Sequence, residues 1–438
     1  MNFRTYFQSG GFFQGYAYAY PHKMAYQRLE PALPLRDLWS GEDRSALFLY
    51  AHIPFCEMRC GFCNLFTTTG ADDPLTRRYL DTLERQVEQV HEALGPDAQF
   101  ARGAVGGGTP TFLAPEELDR LFNILNRFQR APHMPLAVEM SPGTVTTDRL
   151  AVLKHHRVTR ASIGVQSFIE SETRTLGRPQ KIDKVRQALG TLQEAAFPVL
   201  NIDLIYGMQG QTTASLERSL NEALSFTPQE IYLYPLYVRP LTGLHRIGRE
   251  PMDERMDLLR HAVDFLTSKG WRQVSMRLFR APGYEPPEGP VYCCQEDGMV
   301  GLGAGARSYT TRWHYSSEYG VSQNKVREIL DQYLRTPSSQ FAAADYGCGL
   351  NDEEQQRRHL IKSLLRNDGL SHAEWSDRFQ RPVMEAFPHL TELMEEGALR
   401  DTGDHLQPTR RGLELSDVIG PWLFSDAMKA RMSAFELS

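Results

Sequence analysis

Cysteine is scarce in this chain, six among 438 residues. That is too few to staple a protein of this size with a disulfide framework, and it points to a reducing compartment where exposed thiolates persist. Positive charge is not in excess: 48 Lys and Arg against 54 Asp and Glu give a net charge of -6, which argues against a general nucleic-acid binder. No apolar run approaches the roughly 18 to 20 residues that cross a bilayer. The N-terminal MNFRTYFQSGG lacks the basic, apolar and small-residue succession of a secretory signal. The expectation is a cytoplasmic protein that works on neither membranes nor nucleic acids. What is present, 41% apolar and 23% charged residues, describes a globular chain of about two to three domains with at least one large core.

Half of the cysteine is crowded into one stretch. Residues 49–66 read LYAHIPFCEMRCGFCNLF, with Cys56, Cys60 and Cys63 at CxxxCxxC spacing directly after an apolar run of strand character. Thiolate is the ligand that iron–sulfur clusters prefer, and so tight a loop can set three sulfurs around one cubane. One iron then lacks a protein ligand and is open to a small chelating substrate, whereas a sealed electron carrier normally uses four cysteines. Zinc would also need a fourth ligand, usually from a second Cys/His hook, and His52 on the strand side is poorly placed for it. The other thiols, Cys293, Cys294 and Cys348, are read as packed side chains, since an adjacent pair cannot easily share one metal.

Residues 1–44 form an aromatic N-terminal arm in which Tyr16, Tyr18 and Tyr20 alternate, placing three rings on one face of an extended segment. It is either an arm stuck to the core or a lid of rings over a flat substrate. From residue 46, short apolar strands at 46–52, 102–106, 135–140, 160–165, 199–205 and 230–236 are separated by helical patterns. Leu80, Leu83, Val87, Val90 and Leu94 recur at helical spacing, as do Leu118, Leu121, Phe122 and Leu125. Further helices are expected at about 146–156, 181–196 and 213–226. Six such units predict an α/β fold with a parallel sheet and right-handed crossovers, doubly wound or curved into a barrel.

In parallel α/β barrels the chemistry sits at the C-terminal strand ends, and the unusual residues of this chain gather there. They are the cysteine loop, GGGTPT at 106–111, Glu139, Gln166, Asp203 with Tyr206, and Tyr234 with Tyr237. The glycine run is neither a Walker loop nor GxGxxG; it removes every Cβ, so its backbone can approach a ligand closely.

HIPFC followed by xxxCxFC resembles the radical S-adenosylmethionine (SAM) superfamily, and within it the coproporphyrinogen III dehydrogenase (oxygen-independent coproporphyrinogen oxidase) branch. The resemblance implies a partial (β/α)6 radical SAM barrel over residues 45–240, with a [4Fe-4S] cluster on Cys56, Cys60 and Cys63. It also implies one or two molecules of SAM. GGGTPT is similar to the loop that holds the SAM amino group, here Gly107, Gly108 and Thr109. VEMSPG, IGVQSF, LGRPQ and NIDLIYG match segments that contact SAM, which assigns Glu139, Gln166, Arg178, Asp203 and Ile205 to it. Tyr50 and Phe62 match a SAM-contacting tyrosine and aromatic. Each also has a local reading: Asp203 as a helix cap, Arg178 as a surface ion pair, Gln166 as a partner for buried backbone.

Beyond residue 240, a helix at 252–269 and a strand at 271–279 lead to DGMVGLGAGARSYTT at 297–311, within an extension, 241–336, that closes the site. In the family this glycine-rich segment borders the mouth and can touch a second SAM, which makes Gly303 and Gly305 candidates. Residues 352–438 alternate charged helical stretches with a hairpin-like piece and resemble a small winged-helix-like α+β domain. The implied reaction is radical attack on a conjugated, porphyrinogen-type small molecule, with a low-potential donor such as flavodoxin or ferredoxin. Two departures keep alternatives open. The dehydrogenases carry another cysteine where Leu65 stands, and a heme chaperone shows a His-Asn segment where this chain has YCCQEDGM. The alternatives are a two-SAM radical methyltransferase of sp2 carbons and a heme chaperone-like binding protein.

Overall fold

Alternation along the strands decides the central sheet. In a computed structural model that describes residues 1–286 and 297–437, all six expected strands form. They are β1 (Leu47–Ile53), β2 (Gln99–Gly107), β3 (Leu136–Met140), β4 (Arg160–Gln166), β5 (Val199–Tyr206) and β6 (Glu230–Pro235). Neighbours in sequence are parallel neighbours in the sheet. The helices follow in step: α1 (Asp73–Leu94), α2 (Pro115–Leu125), α3 (Thr147–His155), α4 (Ile182–Ala195), α5 (Thr213–Ser225) and α6 (Arg255–Ser268). Beyond β1 the sheet becomes mixed. Met299–Leu302 runs parallel to β1, then Arg307–Tyr309 and Trp313–Ser316 follow antiparallel, and Ala343–Gly349 pairs with the N-terminal strand Gln27–Pro34.

Parallel register puts Ala51, Val105, Val138, Ala161, Ile163, Ile202, Leu204, Ile231 and Leu233 on one face, and all are fully buried. Complete burial of each larger aliphatic contributes about 1.5–3 kcal/mol, so this face carries much of the core. The opposite face holds Glu139, Ser162, Asn201 and Glu230 in one row and Gly164, Asp203 and Tyr232 in the next. A sheet apolar on one side and polar on the other leaves the polar side for ligands.

α1 shows how local signals set an element. Asp72 caps it by accepting from the Leu75 amide at 3.0 Å, Pro74 sits in the first turn, and Gly95 ends it at φ 76°. The buried stripe includes Leu80, Leu83, Val87, Val90 and Leu94, the residues that the spacing selects.

The chain divides by packing into two compact units. One comprises Gln27–Phe265, Gly283–Cys348 and Glu436–Ser438 and contains the sheet; the other comprises Met1–Tyr26, Leu266–Pro282 and Gly349–Phe435. In the second, the helix Asp352–Leu364 is capped by Asn351. Leu370–Ser371, His405–Pro408 and Leu399–Asp401 form a three-stranded antiparallel sheet in that order. Its N-terminal part holds a helix, Phe3–Gly10, that the aromatic pattern did not predict, capped by Asn2. Tyr16 and Tyr18 are in ring contact at 4.7 Å, while Tyr20 is fully buried against Phe424 and bonded to Glu354. The expected strand at 271–279 is two short pieces, Arg272–Gln273 and Leu278–Arg280. A turn separates them, in which Ser275 Oγ accepts from the Arg277 and Leu278 amides. Cys293 and Cys294 lie outside the described residues.

Candidate active site

The cysteine loop begins where β1 ends. Phe55–Cys56 pairs in parallel with Thr68–Thr69, pinching the loop at its neck. Backbone bonds tie it to its surroundings: Thr109 N to Phe55 O at 2.8 Å, Gly61 N to Leu176 O at 2.9 Å, and Leu244 N to Gly61 O at 2.7 Å. A Cβ on Gly61 would lie 2.7 Å from Leu176 O, so only glycine fits this close approach.

All three cysteines are partly exposed, and each sulfur faces a polar partner. Thr109 Oγ1 lies 3.6 Å from Cys56 Sγ, Arg178 Nη1 donates to Cys60 Sγ at 3.1 Å, and Thr67 Oγ1 lies 3.6 Å from Cys63 Sγ. Burial pushes the Cys56 thiol up to about 12, with Thr109 opposing and the other two thiols adding repulsion. Burial likewise raises Cys63. Two thiols so raised become thiolates together only against a concentrated positive charge, which a cluster's irons supply. Among the described residues, one group of metal-ligating side chains brings three donor atoms within 4.8 Å of one another, and it is not this one. Sulfurs sharing a single tetrahedral zinc would lie about 3.8 Å apart. The three sulfurs therefore do not share the close setting of a single zinc.

The glycine loop at the end of β2 lies against this site. A Cβ on Gly108 would stand 2.9 Å from Cys56 Sγ, and one on Gly107, at φ 112°, would strike the buried His52 ring at 2.5 Å. Glu139 Oε2 accepts from the Gly107 amide at 3.0 Å. Its side chain is reached by water, yet protein crowds it closely enough that desolvation raises its pKa, with the Gly107 amide and Arg160 opposing. The loop and the carboxylate form a cradle that fits an amino-acid head group.

Arg178 spans the gap between the cysteine loop and β4, donating from Nη2 to Gly164 O at 2.8 Å. Gln166 ends β4 at φ 69°, an uncommon conformation for a non-glycine residue, at a break in the strand register. Asp203 shares a row with Gly164 and Tyr232 and accepts from Asn201 Nδ2 at 2.8 Å. Burial raises its pKa to about 7; Asn201 and Arg160 pull it down, and Glu139 and Glu230 push it up. Phe62 packs on an apolar cluster of Leu176, Ile205, Met208, Leu236 and Leu244, so Phe62 and Ile205 share one wall. Tyr50 bonds through its hydroxyl to His52 Nδ1 at 3.2 Å, and His52 Nε2 donates to Phe66 O at 2.8 Å.

One expected residue stands elsewhere. Tyr206 falls on the other face from Ile205 and is fully buried, because strand side chains alternate. Gly303 and Gly305 form the turn of the Met299–Leu302 and Arg307–Tyr309 hairpin. Their amides donate to Gln86 Oε1 at 2.8 Å and Ser317 Oγ at 3.0 Å.

Sequence reasoning missed the charged floor of the polar face. Arg160 Nε donates to Glu230 Oε2 at 2.8 Å, and Asn201 Nδ2 donates to Ser162 Oγ at 2.7 Å. Burial alone would lower the Arg160 pKa, but Glu230, Tyr232 and Asp203 outweigh it and hold the guanidinium charged. The signal was available: Arg160, Ser162, Asn201, Asp203 and Glu230 are polar intruders at period two in strands otherwise apolar. Gln180 was also missed; its Nε2 donates to Val165 O at 2.7 Å and Ser167 O at 3.1 Å, and it accepts from Arg178 Nε.

Comparison with known proteins bears directly on this arrangement. A model of the radical SAM superfamily matches residues 50–223, and one of the HemN C-terminal domain matches residues 350–415. A heme chaperone HemW of Bacillus subtilis is 28% identical over 85% of this chain and 98% of that relative. An oxygen-independent coproporphyrinogen III oxidase of Escherichia coli is 28% identical over 84% of this chain and 82% of that relative. The solved structure of coproporphyrinogen III oxidase (HemN) from Escherichia coli superposes with a TM-score of 0.80 at 22% identity, covering 94% of this chain and 97% of that one. The chain therefore carries a radical SAM domain over residues 50–223 and a HemN C-terminal domain over residues 350–415, and the radical SAM family implies a [4Fe-4S] cluster and SAM.

Proposed function

We propose that this chain is an oxidoreductase acting on a conjugated, porphyrinogen-type substrate. Cys56, Cys60 and Cys63 would hold the cluster, and Gly107, Gly108, Thr109, Glu139 and Arg178 would orient the amino-acid end of SAM. Asp203 suits the ribose hydroxyls; Tyr50, Phe62, Gln166 and Ile205 complete the surrounding wall. When bound, the pair supplies a 5′-deoxyadenosyl radical by reductive cleavage of the sulfonium bond, with the electron drawn from a flavodoxin- or ferredoxin-like donor. The chain's own work is to hold geometry, keep water from the radical and leave the polar face of the sheet open for a substrate C–H bond.

The observation that carries the reading is the Arg178 guanidinium, which reaches the Cys60 sulfur on one side and the end of β4 on the other. It supports the reading because it joins the cysteine loop to Gly164, which lies opposite Asp203 in the sheet. Gly303 and Gly305 enter only as a wall, since their amides already have acceptors, and the relatives give a methyltransferase reading no support.

A second reading, heme binding without turnover, is favoured by one specific observation, the similarity to HemW over nearly that relative's whole length. The two are separated by anaerobic incubation with SAM, reductant and coproporphyrinogen III, set beside a heme titration. The oxidase reading expects 5′-deoxyadenosine, methionine and carbon dioxide in step with loss of substrate. Tight heme binding with no 5′-deoxyadenosine would replace it with the chaperone reading.

A further inference from the structure

At the other end of β4 from Gln166, Asp119, His155 and His156 bring one ligand atom each to within 4.8 Å of one another. Asp119 lies on α2; His155 is the last residue of α3 and His156 its cap, on the turn that leads into Arg160. The trio is thus separate from the cysteine site, at the strand end where parallel α/β folds keep stability rather than catalysis.

The side chains lie close together before any ion arrives, and an ion that takes both His156 Nε2 and Asp119 Oδ1 displaces the proton they share. His156 is 7% exposed, its ring stacked on Phe122 with centroids 5.0 Å apart and an interplanar angle of 22°. Its Nε2 lies 2.7 Å from Asp119 Oδ1, and Asn123 Nδ2 donates to the other carboxylate oxygen at 2.9 Å. The His155 ring stands edge-on to His156 at 5.0 Å with its outer side open to water. A plain His156–Asp119 hydrogen bond would account for two of these residues but not for the convergence of the third. Lys154 and Arg157 flank the pair in sequence and weaken cation binding. Arg120 is drawn away by Asp81 and Glu84, at 2.7 and 2.8 Å.

We propose that Asp119, His155 and His156 bind one divalent cation of the zinc class, which ties α2 to α3 and keeps its remaining positions for water. Two imidazoles and one carboxylate, with the carboxylate fixed by a neighbouring amide, are the donor set and support that such ions take.

The test is equilibrium dialysis of the full, cluster-loaded chain against Zn²⁺ under anaerobic conditions, with zinc counted by mass spectrometry. One zinc per chain is expected at about 10 µM or below, weakened roughly tenfold or more in His155→Ala. His155 is exposed, so this variant should fold normally. Thermal melts should rise by about 2–4 °C with zinc in the wild type and by less in the variant. Asp119→Asn provides a second ligand loss. No zinc binding at about 100 µM, or binding unchanged in both variants, would overturn the proposal.

Discussion

Arg178 donates to the Cys60 sulfur at 3.1 Å while its other terminal nitrogen holds the Gly164 carbonyl at 2.8 Å. One side chain therefore joins the cluster loop to the polar end of β4, and Gln180 steadies it by accepting from Nε. A guanidinium in this position can also meet a carboxylate arriving beside it.

Arg178→Gln should leave the iron content near that of the wild type, since the three cysteines remain, while weakening SAM. Charge-assisted hydrogen bonds contribute roughly 1.5–3 kcal/mol, so affinity should fall on the order of ten- to a hundredfold. Iron analysis and SAM equilibrium binding on the same preparation check it. A loss of iron that accounts for the whole loss of SAM would show that the guanidinium serves the loop alone.

Asp203 makes a pH prediction. Its carboxyl titrates near 7 in the folded protein, above the value of about 3.9 for an unperturbed Asp. The native state therefore keeps a proton that the unfolded chain releases, and stability falls as pH rises from about 4 to 7. The loss is at most about 4 kcal/mol, and smaller to the extent that water enters the polar face. Asp203→Asn, which cannot ionise, should melt higher than the wild type at pH 8, with the difference gone near pH 4. Hydroxyl donors bind the ionised form better, so wild-type affinity for S-adenosylhomocysteine should rise through pH 7 and the variant's should stay flat.

Much of this site was legible because its carriers break local rules. Three cysteines within eight residues, three successive glycines, and Glu139 and Asp203 in apolar strands all stand out against period-two and helical patterns. The strands fell within three residues of their expected ends because the fully buried face supplies the period. The strand Gln27–Pro34 was not legible: QRLEPALP carries Pro31 and no clean alternation, features that an edge strand tolerates. Arg277 was read inside one strand, and nothing local marks the turn that its amide and Ser275 form. Tyr206 was misplaced because a motif read as a string ignores which face each residue occupies.

Gly107→Ala should damage the fold as well as the ligand site. The added Cβ would meet the His52 ring at 2.5 Å on a backbone at φ 112°, and His52 is held from both ring nitrogens. A conformation this sparse for a side-chain-bearing residue costs about 1–3 kcal/mol, before any displacement of the ring. The melting temperature should drop and SAM binding should weaken with it. Glu139→Gln serves as the control, because its amide oxygen can still accept from the Gly107 amide. That variant should weaken SAM with little change in melting.

The last prediction concerns the second compact unit, where Arg277 and Asp417 form a pair that is 2% and 0% exposed at the side chains. Arg277 Nη2 donates to both carboxylate oxygens, at 2.7 and 2.8 Å, and the guanidinium lies 3.6 Å from the Tyr16 ring centroid. Burial pushes the Asp417 carboxyl pKa well up, and the guanidinium is hydrogen-bonded to both of its oxygens. Removing one partner takes the ion pair away from the other's buried charge. Asp417→Asn should therefore destabilise by roughly 3–5 kcal/mol, while replacing both residues with apolar side chains of similar volume should recover most of the loss. Chemical denaturation of Asp417→Asn, Arg277→Met and the double variant measures the coupling. If the single variants cost as little as an exposed ion pair, under about 1 kcal/mol, the buried pair matters no more to stability than a surface contact.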